Sequence, residues 1–256
     1  MKRSFRAVGS LTLGGVALVR SFSDGDYWAD FSTFVVRDGL RDDETDYEPV
    51  PAALNEYECH GGWGTAGRAG VGWFLAVSGD GRHRVVLEVH DAPPGLAGDQ
   101  WSQVLETAYR SPTGTVGLNN VTDGPALETV ELLGPGSYRL QVCRLQRPDE
   151  WDWLLRWWPC TPEEPPRWLR RDLRPWHGSE SFAEDLIGVP AWSPGHRLSC
   201  TIGELADRLL LSAAQTRGAI DIAVRQHWLD LDGNSIGNAP FELAVPGGGQ
   251  IGEWWP

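Results

Sequence analysis

The chain has 256 residues, with 22 basic and 35 acidic side chains and a net charge of −13. Split at Cys160, the first part carries 14 basic against 22 acidic residues (−8) and the remainder 8 against 13 (−5). Neither part offers the positive face on which diffuse attraction to phosphates depends. The hydrophobic fraction of 41% implies a buried core, and no apolar run reaches the roughly 18 residues of a spanning helix.

The N-terminus begins with Lys2, Arg3 and Arg6 before an apolar stretch from Ala7 to Val19. Gly9, Ser10, Thr12, Gly14 and Gly15 interrupt that stretch, and Arg20 follows without a small-x-small cleavage site. The stretch is therefore read as a first β-strand pair rather than an export signal. The next strand candidate is Thr33 to Arg37. Asp42, Glu44, Asp46 and Glu48 then alternate along an acidic stretch that lacks the central glycine of a calcium loop, and it reads as solvated. Gly62-Trp-Gly64-Thr-Ala-Gly67 has the letters of a dinucleotide fingerprint. It lacks the buried strand before it and the helix after it that would place a pyrophosphate, so it reads as a loop.

Period-two patterning marks half-buried strands further on. Val85, Leu87 and Val89 alternate with Val86, Glu88 and His90; Tyr138, Leu140 and Val142 alternate with Arg139, Gln141 and Cys143. Val104 to Arg110, Thr115 to Val121 and Trp153 to Trp158 are further candidates. Gly/Pro turns such as Pro93-Pro94-Gly95 and Gly134-Pro135-Gly136 separate them. Residues 1–160 thus read as a β-rich domain, a mostly antiparallel sandwich or barrel.

Residues 161–178 hold Pro162, Pro165, Pro166 and Pro175 and read as a linker with at most a short helix, Arg167 to Leu173. Residues 179–256 change to helical patterning. Ser181-x-x-Glu184, Thr201-x-x-Glu204 and Ser212-x-x-Gln215 are capping-box patterns. The first opens a short helix ending near Gly188. The second and third open a helix pair joined by a tight turn at Leu210 to Ser212. Two strands follow, Trp228 to Asp232 and Phe241 to Val245. Helix, turn, helix and hairpin is the order of a winged helix. The class expected is therefore α+β overall, with the β sandwich or barrel followed by a C-terminal winged helix-turn-helix.

Two resemblances accompany this reading. Thr201 to Ser212, with Arg217 to Ile220 and Trp228 to Leu231, resembles bacterial winged helix-turn-helix regulators, except that Leu210 stands where glycine is usual. Gly136 to Val142, with an acidic residue in Glu150 to Pro159 before Trp153-Leu154-Leu155 and then Trp158-Pro159, resembles a family of uncharacterised actinobacterial and proteobacterial β domains. The second resemblance implies a fold segment and no chemistry.

Catalytic motifs are not evident: there is no G-x-S-x-G, H-E-x-x-H or Walker loop. No enzyme activity and no cofactor are expected. Cys160, His177, His196 and Cys200 have the residue types of a zinc site, but their gaps match no named finger, so buried thiols and exposed imidazoles are expected instead. The four cysteines form no paired motif, which fits a reduced, cytoplasmic protein.

Two functional readings remain open. One is a non-enzymatic regulator contacting double-stranded DNA through Gln215, Arg217 and Arg225. The other is an acidic adaptor or immunity-type protein that binds another protein and no DNA. Its contact surface would be the junction rich in tryptophan and arginine, Trp168, Arg170, Arg171, Arg174 and Trp176, drawn from a chain with 14 tryptophans. No membrane partner is expected in either case.

Overall fold

The computed structural model describes residues 4–6, 11–13, 16–29, 33–39, 68–78, 81–120, 124–147, 150–161, 164–173, 179–233 and 239–246. Strand accounts for 51% of the structure and helix for 21%. The expected class, α+β with a terminal winged helix-turn-helix, is corrected by this: the structure is mostly β, and the three α-helices among the described residues are too few to support that module.

Thirteen strands build two sheets: β1 (Ser4–Arg6), β2 (Leu11–Leu13), β3 (Val16–Ala29), β4 (Thr33–Asp38), β5 (Arg68–Ala69), β6 (Trp73–Val77), β7 (Gly81–His90), β8 (Gln103–Ser111), β9 (Thr115–Asn120), β10 (Gly124–Glu131), β11 (Gly136–Gln146), β12 (Trp151–Pro159) and β13 (Arg167–Arg170). The large sheet runs β1-β3-β7-β12-β11-β8-β13, with β2 also on β3. Its pairs are antiparallel except β7 with β12. The second sheet runs β10-β9-β4-β6-β5.

The two sheets pack face to face through alternate residues. Val85, Leu87 and Val89 of β7 and Leu140 and Val142 of β11 share one buried cluster with Phe34, Phe74 and Leu118 of the second sheet. Trp153 lies fully buried at its centre. Its ring stacks on Phe34 with centroids 4.3 Å apart, and its Nε1–H donates to His83 Nδ1 at 2.9 Å. An indole N–H only donates, so His83 Nδ1 is the acceptor tautomer. Gly114 closes the β8–β9 turn at φ +80, where a Cβ would sit 2.6 Å from the Gly134 carbonyl carbon; only glycine fits there.

The segment read as a linker holds a strand. Residues expected to form at most a short helix instead pair as β13 with β8, Arg167 opposite Glu106 and Trp168 opposite Leu105. Pro165 and Pro166 disfavour helix at the entry, and the β8 edge supplies backbone partners.

Beyond it lie α1 (Ser179–Ala191), β14 (Arg197–Cys200), α2 (Ile202–Leu209), α3 (Ala213–Arg225), β15 (Asp230–Asp232) and β16 (Phe241–Ala244). α1 starts before Ser181, so that serine is not its cap, and it runs past Gly188 to include Pro190. The other two capping boxes form: Thr201 with Glu204 and Ser212 with Gln215. The strands form a sheet in the order β14-β16-β15.

These elements share their core with the large sheet. Phe182, Leu186, Leu205 and Leu209 belong to one buried cluster with Leu105 of β8 and Trp168 of β13. Trp192, just past α1, donates its indole N–H to Ala69 of β5 at 3.0 Å. Among the described residues no helix is long and apolar enough to cross a membrane.

Trp153→Ala removes the ring at the centre of the two-sheet core and leaves His83 Nδ1 without its donor. A loss of about 3–5 kcal/mol is expected, read as a shift in the urea midpoint.

Candidate interaction surface

The junction of β13 with the helices is built around Arg171. Its guanidinium carbon lies 4.4 Å from the Trp168 ring centroid and 4.9 Å from that of Phe182. Nη2 donates to Asp185 Oδ2 at 2.5 Å, and Nη1 donates to the Leu209 carbonyl at 2.8 Å. The Arg171 and Asp185 side chains are only 1% and 4% exposed. One arginine from the sheet side thus holds α1 by a charge and α2 by its last turn, where helix carbonyls lack partners of their own. Burial pushes the guanidinium below its ordinary range, and Asp185 opposes that shift.

Arg144 on β11 is also fully enclosed. It lies 5.1 Å and 5.6 Å from the Trp151 and Trp153 rings and donates to Gln103 Oε1. Arg170 projects to the other face of the sheet. It donates to the carbonyls of Gly98 and Trp101, each at 2.9 Å, and to Asp99.

That outer face carries a polar row across five strands. Register places Glu88 of β7 beside Arg156 of β12, then Gln141 of β11, Glu106 of β8 and Arg167 of β13. The side chains are bonded in the same sequence. Arg156 donates to Glu88 (3.2 Å) and to Gln141 Oε1 (3.2 Å). Gln141 Nε2 donates to Glu106 (3.1 Å), and Arg167 donates to Glu106 Oε2 (3.0 and 2.8 Å). His90 Nε2 donates to Glu88 at 3.0 Å. The next row is apolar, Leu154, Cys143 and Val104, and packs with Ala97 of the segment that crosses this face. Burial pushes the Cys143 thiol up to about 12, so it is an inert core thiol. Burial raises Glu88, but the His90 hydrogen bond and the Arg156 charge outweigh it and leave the carboxyl below its ordinary range.

The sequence-based candidates fall into three groups. Trp168 and Arg171 lie inside, and Arg170 is tied to backbone and carboxylate acceptors. Gln215 uses its side-chain oxygen to cap α3, accepting from Ser212 N and Oγ at 2.9 and 2.8 Å. Arg217 is half-buried and has a partner of its own, while Arg225 is exposed at the end of α3. Arg174, Trp176 and His177 lie outside the described residues, as do the acidic stretch 42–48 and the glycines 62–67. Cys200 is buried, Cys160 is half-buried, and His196 Nδ1 lies 2.9 Å from the Ala191 carbonyl. Among the described residues no group of three or more His, Cys, Asp or Glu is placed to hold a metal ion.

Five carboxylates of the helical part reach solvent, as do Arg197 and Arg225. Glu204, Asp207, Asp221, Asp230 and Asp232 are exposed. From Arg197 to Val245 there are four arginines against six carboxylates, a net of −2. Arg197 is paired with Glu242, and Arg208 donates to the carbonyls of Pro165 and Pro166. Hydrogen bonds from the Thr201 backbone and side chain hold the Glu204 carboxyl below its ordinary range, so that charge persists into mild acid.

Sequence reasoning missed Glu106, Gln103, Arg144 and Asp185. The alternation of Arg139, Gln141 and Cys143 was visible, but polar residues at every second position read as a solvent face. Here both faces of β11 are buried, Gln141 completely, because residues 91–102 and 164–166 lie over the outer one.

No protein-family model and no curated protein matches this chain. A solved structure described as "Crocagin biosynthetic gene J" overlays with a TM-score of 0.33 at 15% identity, across 56% of this chain and 96% of that one. An overlay this loose carries no inference about function.

Two outcomes follow for this junction. Arg171→Ala takes one cation from the buried Asp185 and the donor from the Leu209 carbonyl, and should cost about 3–5 kcal/mol, whereas Arg171→Met with Asp185→Leu should recover part of it; denaturant unfolding of the four-member cycle measures both. Glu88 has a depressed folded pKa, so its stabilisation is complete above about pH 4.3 and lost as pH falls through the lower folded value. Glu88→Gln should flatten the fall in urea midpoint between about pH 5 and pH 2.

Proposed function

We propose that this chain is a non-enzymatic, acidic accessory protein of the adaptor or immunity type, which binds a cationic protein partner and not nucleic acid. The observation that supports it is the direction of its charges. Arginines 139, 144, 156, 167, 170, 171 and 208 donate to acceptors within the molecule. Glu204 and Asp207 of α2 and Asp221 of α3 are exposed instead. A surface of that sign repels phosphodiesters and draws a basic protein surface at an enhanced on-rate.

The DNA-binding regulator has less behind it. Of its three contact residues, Gln215 is committed to a helix cap and Arg217 is half-buried with a partner. That leaves Arg225, too little positive charge for the salt-dependent attraction duplex binding needs.

The test has two arms. Gel shifts against random duplex DNA at about 20 mM salt should show no complex. Zero-length carbodiimide cross-linking in extract of the source cell should join Asp207, Asp221 or Asp230 to lysines of one partner. Asp207→Lys with Asp221→Lys should abolish that product at unchanged melting temperature, since both side chains are exposed. A duplex complex that weakens steeply with salt would overturn the reading.

A further inference from the structure

Arg139 is a buried cation with part of its guanidinium unused. Its side chain is 3% exposed. Nη1 donates to the Glu164 and Pro165 carbonyls at 2.5 and 3.2 Å. Nε stands 3.7 Å from Glu106, too far for a hydrogen bond. Nη2 is buried and has no hydrogen-bond partner among the described residues. Glu106 does not serve it, because Oε2 holds Arg167 and Oε1 accepts from Gln141. Glu164 is exposed and offers Arg139 its backbone carbonyl. Burial pushes the Arg139 guanidinium below its ordinary range, and the Glu106 and Glu164 charges oppose that without cancelling it.

A second cation stands at the same place. Arg208 of α2 is half-buried and donates to the carbonyls of Pro165 and Pro166. Arg139 and Arg208 thus share one acceptor, the Pro165 carbonyl. The two bonds of Arg208 are 3.3 and 3.4 Å, longer than the usual range, so its guanidinium is loosely held. It is in no ion pair among the described residues. Arginines 139, 167 and 208 therefore meet only Glu106 and Glu164, and one positive charge is left over where an uncompensated cation is costly. Cys160 lies beside them. Arg139 faces Trp158 in register, and Cys160, two residues on, falls on the same face of β12. Cys160 is half-buried. Burial raises its thiol, and the Arg139 charge pulls it down.

We infer that Arg139 and Arg208 form a binding site for a small oxyanion, a carboxylate or a phosphate. The anion takes the unused Nη2 of Arg139, and Arg208 turns from the two proline carbonyls to its other oxygens. A guanidinium fork matches the paired oxygens of either group. The site lies beneath residues 164–166 and is independent of the acidic exterior, so it stands or falls apart from the proposed cationic partner.

The test follows alkylation of Cys160 by iodoacetamide at about pH 8, where thiolate is the reactive form, with the Cys160 peptide read by mass spectrometry. Sodium phosphate and sodium acetate are each titrated against sodium chloride at constant ionic strength. Bound anion neutralises the Arg139 charge beside the thiolate, so alkylation should slow about threefold and saturably. Slowing by phosphate alone assigns a phosphoryl group, and slowing by acetate assigns a carboxylate. Arg208→Gln should raise the midpoint anion concentration about tenfold, the loss of one charged hydrogen-bonding partner. Arg208→Lys, which keeps the charge without the fork, should fall between the two. No slowing up to about 50 mM of either anion, well above a millimolar Kd, would overturn the inference. Slowing that never saturates, or the same midpoint in both variants as in wild type, would overturn it too.

Discussion

Arg171 and Asp185 meet out of water, at the place where the large sheet ends and the helices begin. A guanidinium there must be given acceptors, because an unpaired buried charge is far costlier than a paired one. Asp185 from α1, the Leu209 carbonyl from the end of α2, and the rings of Trp168 and Phe182 supply that environment. These groups come from three separated stretches of chain. The pair is formed only when β13 is on the sheet and both helices are against it, so a local charge requirement fixes a long-range arrangement. The pair itself adds modestly to stability; its larger effect is to penalise arrangements that leave it open.

The same requirement recurs along the outer face of the sheet. Five neighbouring strands place Glu88, Arg156, Gln141, Glu106 and Arg167 in one register row, each bonded to the next. A one-residue slip of any strand would turn its member to the opposite face and take a partner from each neighbour it bonds. The polar row thereby specifies register where hydrophobic burial on both faces would not. It also determines the outside of the molecule. With the arginines committed to internal acceptors, a chain of net charge −13 presents carboxylates, and the proposed cationic partner follows from that sign.

Local signals were the most legible part. The capping boxes at Thr201 and Ser212 form as their spacing implies, because both partners of each lie within four residues. The alternation of β7 and β11 located those strands. The overall class was not legible, because the capping boxes of α2 and α3 are strong local signals whereas the many short strands carry weaker ones. β6, β10 and β14 went unread for that reason. β13 was misread because its extended form depends on the β8 edge, which is distant in sequence. The arginines of the junction were legible as a cluster, but not their role. Asp185 lies 14 residues from Arg171 and Gln103 lies 41 from Arg144, and only the fold brings an acceptor to each cation.

Native-state hydrogen exchange tests most directly whether the helices and the sheet are held as one unit by the shared core around Arg171 and Trp168. The amides of β8, β13, α2 and α3 should open with one common free energy and one denaturant dependence, equal to those of global unfolding. Exchange of the α2 and α3 amides through a separate, lower-energy opening, with β8 still protected, would contradict the account.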